Sequence, residues 1–231
     1  MGIHHTIDAC HRKCIQGIVL LFPDVVSILS PEPEYSQGIM RTMKQATIGS
    51  EAELARVIGA DDWMMEVLAV AEGLALPDWW IGAGFLRNKV WNVIEGKDAE
   101  PTRDVDLVYF NAHDRQAETD WAYDQQLKAA YSFAEWEVRN QARMHYVNNL
   151  APFISTEDGI AHWTETATCV AVKLEDSKLR FLFCYGTHDL FGLIARPTPY
   201  IVGTKLMHLF NDRLAKKQWR EKWPDIRIEA S

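Results

Sequence analysis

Ile81-Gly82-Ala83-Gly84-Phe85-Leu86-Arg87-Asn88, followed some sixteen residues later by Asp104-Val105-Asp106-Leu107-Val108, is the stretch that organises the whole 231-residue chain. Trp79-Trp80-Ile81 reads as a short buried strand, Gly82-Ala83-Gly84 as a tight turn, and Phe85 to Ile94 as a helix closed by Gly96. A glycine-rich turn between strand and helix lets the backbone approach an anion closely. The helix start then offers unpaired N–H groups and the positive end of its dipole. In the next strand, Val105 to Phe110, residues two apart point to the same side. Asp104 and Asp106 therefore project together, while Val105 and Leu107 face the core. Adjacent carboxylates repel, and their hard oxygens select a divalent cation such as Mg2+ or Mn2+. An ion of that kind can bridge triphosphate oxygens and lower the pKa of an attacking hydroxyl.

A third carboxylate on a neighbouring strand would complete a two-metal site. Ala134-Glu135-Trp136-Glu137-Val138 reads as that strand, with Glu137 the candidate and Glu135, on the same face, the alternative. A dense polar run follows: Arg139, Asn140, Gln141, Arg143 and His145. It suits a substrate-pocket wall, with His145 as a possible general base, and equally a solvated helix face. Neither the glycine turn nor the Asp pair is specific alone, since each also occurs at ordinary helix entries and strand starts. The specific signal is their order: strand, glycine turn, helix, loop, Asp-pair strand, helix, acidic strand.

Upstream, Ser50 and Glu53 have capping-box spacing, with Leu54, Val57 and Ile58 on one face. A second helix, about Asp61 to Gly73, carries Trp63, Met64, Val67, Leu68 and Ala71 at helical spacing. Downstream, Glu118 to Ala130 suits a helix, and another begins near Ser155. Strands at about Cys169–Leu174 and Leu179–Cys184 pair across Glu175-Asp176-Ser177-Lys178, and Thr204 to Trp219 is an amphipathic helix with a basic end. The expected fold is α/β (α+β in some schemes), a small mixed sheet with flanking helices, preceded by a helical pair.

Residues 1–45 differ in texture and are expected to form an atypical extension to a domain spanning 46–231. Their His4, His5, Cys10, His11 and Cys14 fit no tetrahedral zinc spacing. Four cysteines in all (Cys10, Cys14, Cys169, Cys184) are too few for a disulfide scaffold, so free thiols in a reducing cytosol are expected. No stretch approaches the ~20 apolar residues of a membrane span, and a cytoplasmic protein is expected. The formal charge of −8 argues against bulk nucleic-acid binding, which depends on Lys and Arg neutralising phosphates. Asp189-Leu190-Phe191-Gly192 is not the kinase triplet, because Leu190 intervenes; Asp189 is expected to cap a helix or anchor the loop near Arg196.

The order hG[GS]…Dh[DE]h…h[DE]h resembles the nucleotidyltransferase (polymerase β-like) superfamily. Ala83-Gly84-Phe85-Leu86-Arg87-Asn88 is similar to the G-G-x-V-R-[DN] turn of tRNA nucleotidyltransferases and poly(A) polymerases. More closely, the chain resembles a bacterial family of nucleotidyltransferase-like proteins. That likeness rests on Leu76 to Ile81, Gly84 to Trp91, Asp104 to Phe110, Trp136 to His145, and Tyr185-Gly186 with Asp189-Leu190-Phe191. The resemblance implies that Asp104 and Asp106 bind metal and that Glu137 is the third carboxylate. It also implies that Gly82, Ala83 and Gly84 contact the triphosphate, with Arg87 reaching the phosphates. The implied reaction moves a nucleoside monophosphate from an NTP to a hydroxyl acceptor that the resemblance does not identify. Two departures stand out: position 83 is Ala where many members carry Gly or Ser, and no large basic RNA-binding domain follows. They keep open a second reading, a non-catalytic nucleotide-binding or regulatory protein that retains the fold.

Overall fold

The computed structural model of the protein describes residues 48–97 and 103–230. Residues 1–45, with Cys10 and Cys14, lie outside the described part. Helix α1 (Glu51–Gly59) begins with the capping box its sequence predicts. The Ser50 hydroxyl accepts from the Glu53 amide, and the Glu53 carboxylate accepts from the Ser50 hydroxyl and the Gly49 amide. Asp61 caps α2 (Asp62–Gly73) by accepting from the Met64 amide. Its other oxygen accepts from Lys89 at 2.7 Å, which ties the helical pair to α3 (Gly84–Ile94).

The sheet has five strands in the order β3-β2-β1-β4-β5. β1 (Trp80–Gly82) is central and antiparallel to both β2 (Asp104–Tyr109) and β4 (Val170–Glu175). β3 (Glu135–Asn140) runs parallel to β2, a pairing that needs a crossover, and α4 (Ala117–Ala130) supplies it. β5 (Lys178–Phe183) closes the other edge in a hairpin, with Asp176 and Ser177 at φ 51° and 61° in the two-residue turn.

Alternation along the strands gives the sheet two distinct faces. Ile81, Val105, Leu107, Trp136, Val138, Val170 and Val172 join the helices in the main core. On the other face Val108, Cys169 and Ala171 form a smaller cluster with Ile160, Trp80 and Trp163. That second face is partly covered by α5 (Gln141–Met144), the 3-10 turn His145–Asn148 and α6 (Thr156–Ala161).

After α7 (His188–Phe191), a two-stranded parallel sheet pairs β6 (Ile194–Ala195) with β7 (Arg227–Ile228). Between these strands the expected single helix proves to be two, α8 (Met207–Lys217) and α9 (Trp219–Lys222). Gln218 breaks them in the left-handed conformation, φ 48° and ψ 45°. The bend lets Trp219 and Trp223 meet Trp91 edge-on, with ring centroids 5.6 and 4.9 Å away. Burying two indoles against a third outweighs the strain at one residue.

Candidate active site

The register of the strands assembles the site. β1 pairs Trp80 with Val108 and Ile81 with Leu107, which carries Gly82 to the level of Asp106. Gly82 pairs with Ala171 on its other flank, and Asp106 pairs with Glu137 across the parallel step. Gly82, Asp106 and Glu137 thus form one row on the second face, with Asp104 and Glu135 in the next. Position 82 admits no side chain, because a Cβ there would stand 2.5 Å from the Trp163 ring. The chain then turns at Ala83, whose N–H donates to the Val170 carbonyl at 3.1 Å, and enters α3.

Two cavities meet at this row and share Ala83, Asp106 and Arg213 as walls. The larger, about 290 Å³, is lined by Glu137, Arg139, Gln141, Phe153, Trp163 and Thr168 among others. The smaller, about 200 Å³, holds Gly84, Arg87, Asp104, Lys217, Trp219 and Lys222. Burial, reinforced by Asp104 and Glu137, pushes the Asp106 carboxyl up to about 6, although Arg87 and Arg213 oppose the shift. The side chains of Asp104 and Asp106 have no hydrogen-bond or ion-pair partner among the described residues. Among those residues no three His, Cys, Asp or Glu side chains converge closely enough to enclose one metal ion.

Arg87 is 4% exposed. One terminal nitrogen donates to Thr168 Oγ1 at 2.7 Å, the other to Asn88 Oδ1 at 2.8 Å, and Nε has no partner. Its guanidinium lies 5.3 Å from the Trp91 ring centroid and 4.8 Å from that of Trp219. Burial, more than the nearby Arg213, brings its pKa down to about 10, which leaves it charged at neutral pH.

Of the residues expected to wall a substrate pocket, Arg139 and Gln141 line the larger cavity, and Asn140, Arg143 and His145 line neither. Arg139 is held by Asp124 at 3.0 Å and Glu137 at 3.2 Å. The Asn140 side chain accepts from the Asn111 and Ala142 amides and donates to the Asn111 and Asp114 carbonyls, so all its capacity is spent locally. Arg143 pairs with fully buried Asp120, which also accepts from the Tyr109 hydroxyl and the Asn140 amide. His145 is 1% exposed and packs between Tyr146 and Phe153. Asn140 points inward because β3 continues through it before the chain turns, two residues beyond the expected strand end.

Glu165 and Thr166 are also buried. Glu165 accepts from Arg213 at 2.7 Å, and Thr166 donates to Asp189 at 2.6 Å, with Arg196 bonded to the same Asp189 carboxylate as expected. Cys169 and Cys184 are free. Burial pushes both thiols up, Cys184 to about 12, so neither is a thiolate at neutral pH. The sequence reading did not single out Arg213, Lys217, Lys222 or Thr168, which line the two cavities; the basic Thr204–Trp219 helix carried the first two, and Lys222 lies beyond it.

Ala83 has φ 55° and ψ −125°, outside the left-handed helical basin and near the first central position of a type II′ turn, where glycine dominates. A Cβ there costs about 1–3 kcal/mol, against about 0.4–1 kcal/mol of unfolded-chain entropy that the alanine saves. Ala83→Gly is therefore expected to raise Tm by roughly 2–4 °C, the effect of about 1 kcal/mol. A calorimetric scan showing a lower Tm would mean the turn is not strained.

Comparison with known proteins bears on the family and the fold. Residues 69–228 match a family described as nucleotidyltransferase. An NMR structure described as revealing a CCA-adding enzyme head domain superposes with a TM-score of 0.73 at 27% identity, over 80% of this chain and 98% of that one. A CCA-adding enzyme solved in complex with CTP superposes with a TM-score of 0.50 at 13% identity, over 76% of this chain. The match spans only 43% of that enzyme, and the likeness there is one of fold. No curated protein matches the chain in sequence.

Proposed function

Because the chain belongs to the nucleotidyltransferase family, we propose that it transfers a nucleoside monophosphate from an NTP to a hydroxyl acceptor, with pyrophosphate as the leaving group. The observation that carries this reading is the pair Asp104 and Asp106, without partners among the described residues, beside the start of α3. Mg2+ is commonly held by one or two carboxylates together with substrate phosphates and water. Two hard oxygen donors on one face, one of them pushed up to about 6 by burial and then by its acidic neighbours, fit Mg2+ or Mn2+. When bound, the ion would offset triphosphate charge and favour deprotonation of the acceptor hydroxyl.

The remaining work falls to the chain's own groups. The first amides of α3, opened by Gly84, point their N–H groups toward the phosphates. The methyl of Ala83 offers no hydrogen bond, so contact at Gly82 to Gly84 is left to the backbone. Arg87, charged and buried, neutralises phosphate where water cannot screen it. Glu137 lines the larger cavity and stands on the acceptor side of Asp106, oriented by Arg139. The transition state of phosphoryl transfer needs mainly positioning and charge neutralisation, and this set supplies both.

One observation favours the second reading, a non-catalytic nucleotide-binding or regulatory protein. The Glu137 side chain is 50% exposed and already engaged by Arg139. Calorimetry of NTP binding with and without Mg2+ or Mn2+, on wild type and an Asp104→Asn/Asp106→Asn variant, separates the two. Binding that requires the ion and disappears in the variant supports the enzyme. Tight binding indifferent to both points to the non-catalytic protein, and no binding to any NTP leaves the proposal without support.

A further inference from the structure

The smaller cavity contains more charge than the proposed chemistry has used. In a chain of formal charge −8, four cationic side chains (Arg87, Arg213, Lys217 and Lys222) line one chamber of about 200 Å³, against two carboxylates, Asp104 and Asp106. Three of the four come from the last two helices. Resting on the NTP reading above, we infer that this chamber is a polyphosphate site whose outer wall is the C-terminal segment. Lys217 and Lys222, with Arg213, grip the β- and γ-phosphates of the NTP and then the departing pyrophosphate.

Four observations support the assignment. Arg87 is nine-tenths buried and more, with no carboxylate bonded to it and its Nε unpartnered, and it lines the chamber. A buried cation left in that state is costly unless an anion completes it. Arg213 is fixed by Glu165, which is itself fully buried, so its position does not depend on ligand. Lys217 and Lys222 form no ion pair among the described residues. Burial and then Arg213 and Arg87 hold the Lys217 ammonium below the usual lysine range, with Asp104 opposing, as expected for like charges crowded together.

The backbone is built to present these groups. Gln218 breaks the helix so that Lys217, at the end of α8, and Lys222, at the end of α9, line the same chamber. α9 is then fastened to α3. Trp219 and Trp223 pack on Trp91, the Trp223 indole donates to Asn92 Oδ1 at 2.8 Å, and Lys97 donates to the Lys222 carbonyl. Asp106 is a common wall of both cavities, so a phosphorus reacting there leaves its tail in the cationic chamber and meets the acceptor from the larger one.

The test uses the full chain and inorganic tripolyphosphate, which has the charge of the tail and no nucleoside. Calorimetry would compare wild type, Lys217→Ala/Lys222→Ala and the charge-retaining Lys217→Arg/Lys222→Arg, each with tripolyphosphate and with NTP. The alanine pair is expected to weaken both ligands by roughly ten- to a hundred-fold, the scale of losing hydrogen bonds to charged groups. The arginine pair should restore most of the affinity, and an unchanged Tm would show that folding is intact. Equal NTP affinity in wild type and the alanine pair overturns the inference and leaves the NTP reading standing. Wild type binding NTP but not tripolyphosphate also overturns it, since recognition then rests on the nucleoside. Tripolyphosphate binding lost in the alanine pair, without any NTP binding, supports the anion site and removes the transferase reading instead.

Discussion

Asp106→Asn is expected to cut metal-dependent NTP turnover on the order of a hundred- to a thousand-fold or more, and at the same time to raise the Tm of the metal-free protein above pH 6. The two effects have one cause. Burial first, then Asp104 and Glu137, push the Asp106 carboxyl up to about 6. A carboxyl whose folded-state pKa lies above its unfolded value binds a proton more tightly when folded. The native state therefore loses stability as pH climbs from about 4 to about 6, and the full cost persists above that. A rise from 3.8 to about 6 caps the cost at roughly 3 kcal/mol, and solvent screening at a partly exposed side chain reduces it. Asparagine has no charge to repel. Thermal scans in a chelator from pH 3.5 to 8 should show wild type and variant converging at the acid end and separating near neutrality. Mg2+ should then raise the Tm of wild type alone. Equal melting at pH 8 would mean that burial and the neighbouring carboxylates do not penalise the Asp106 charge, and a variant that keeps its turnover would remove Asp106 from the chemistry.

Trp91→Ala is expected to cost about 3–5 kcal/mol, as for other buried tryptophans replaced by alanine, and so to lower Tm on the order of 10 °C. The ring is fully buried in the main core. Its N–H donates to the Leu190 carbonyl at 2.9 Å, and it touches Trp219, Trp223 and the Arg87 guanidinium. Removing it therefore opens a cavity and also unfastens the segment that brings Lys217 and Lys222 to the chamber. At a temperature where the variant is still folded, NTP affinity should fall while intrinsic Trp fluorescence reports a loosened C-terminal segment. A loss of stability with unchanged affinity would mean that α9 is positioned by something other than this cluster.

The parts of the site that could be read from sequence are those fixed by local spacing. Gly82 and Gly84 around a turn, Asp104 and Asp106 two apart on a strand, and Ser50 with Glu53 depend on period and backbone geometry alone. Each stands in the structure where that geometry puts it. The parts that could not be read depend on contacts between distant residues. Nothing local distinguishes an Asn140 spending four hydrogen bonds in the interior from one facing a substrate. The pattern from Thr204 to Trp219 is a sound amphipathic helix until Trp91, more than a hundred residues earlier, draws Trp219 and Trp223 inward. That same long-range draw turns the basic end of a surface helix into the wall of a chamber. Ala83 lies between these cases. The turn was visible, but its strain required the observed φ of 55°.

The central strand β1 is only three residues long, and it finds β4 some ninety residues later in the chain, Ile81 against Val172. The indole of Trp223 reaches Asn92 across 131 positions. On a ribosome adding about 5–20 residues each second, the stretch from Asn92 to Trp223 takes roughly 7–25 s to appear. For that interval Trp91 lacks the cover of Trp219 and Trp223, and Asp104 and Asp106 face no completed chamber. If the chamber holds polyphosphate as inferred above, a translation pause or a nick ahead of Trp223 would leave its outer wall without the anchor on Trp91 and Asn92 and would weaken that grip.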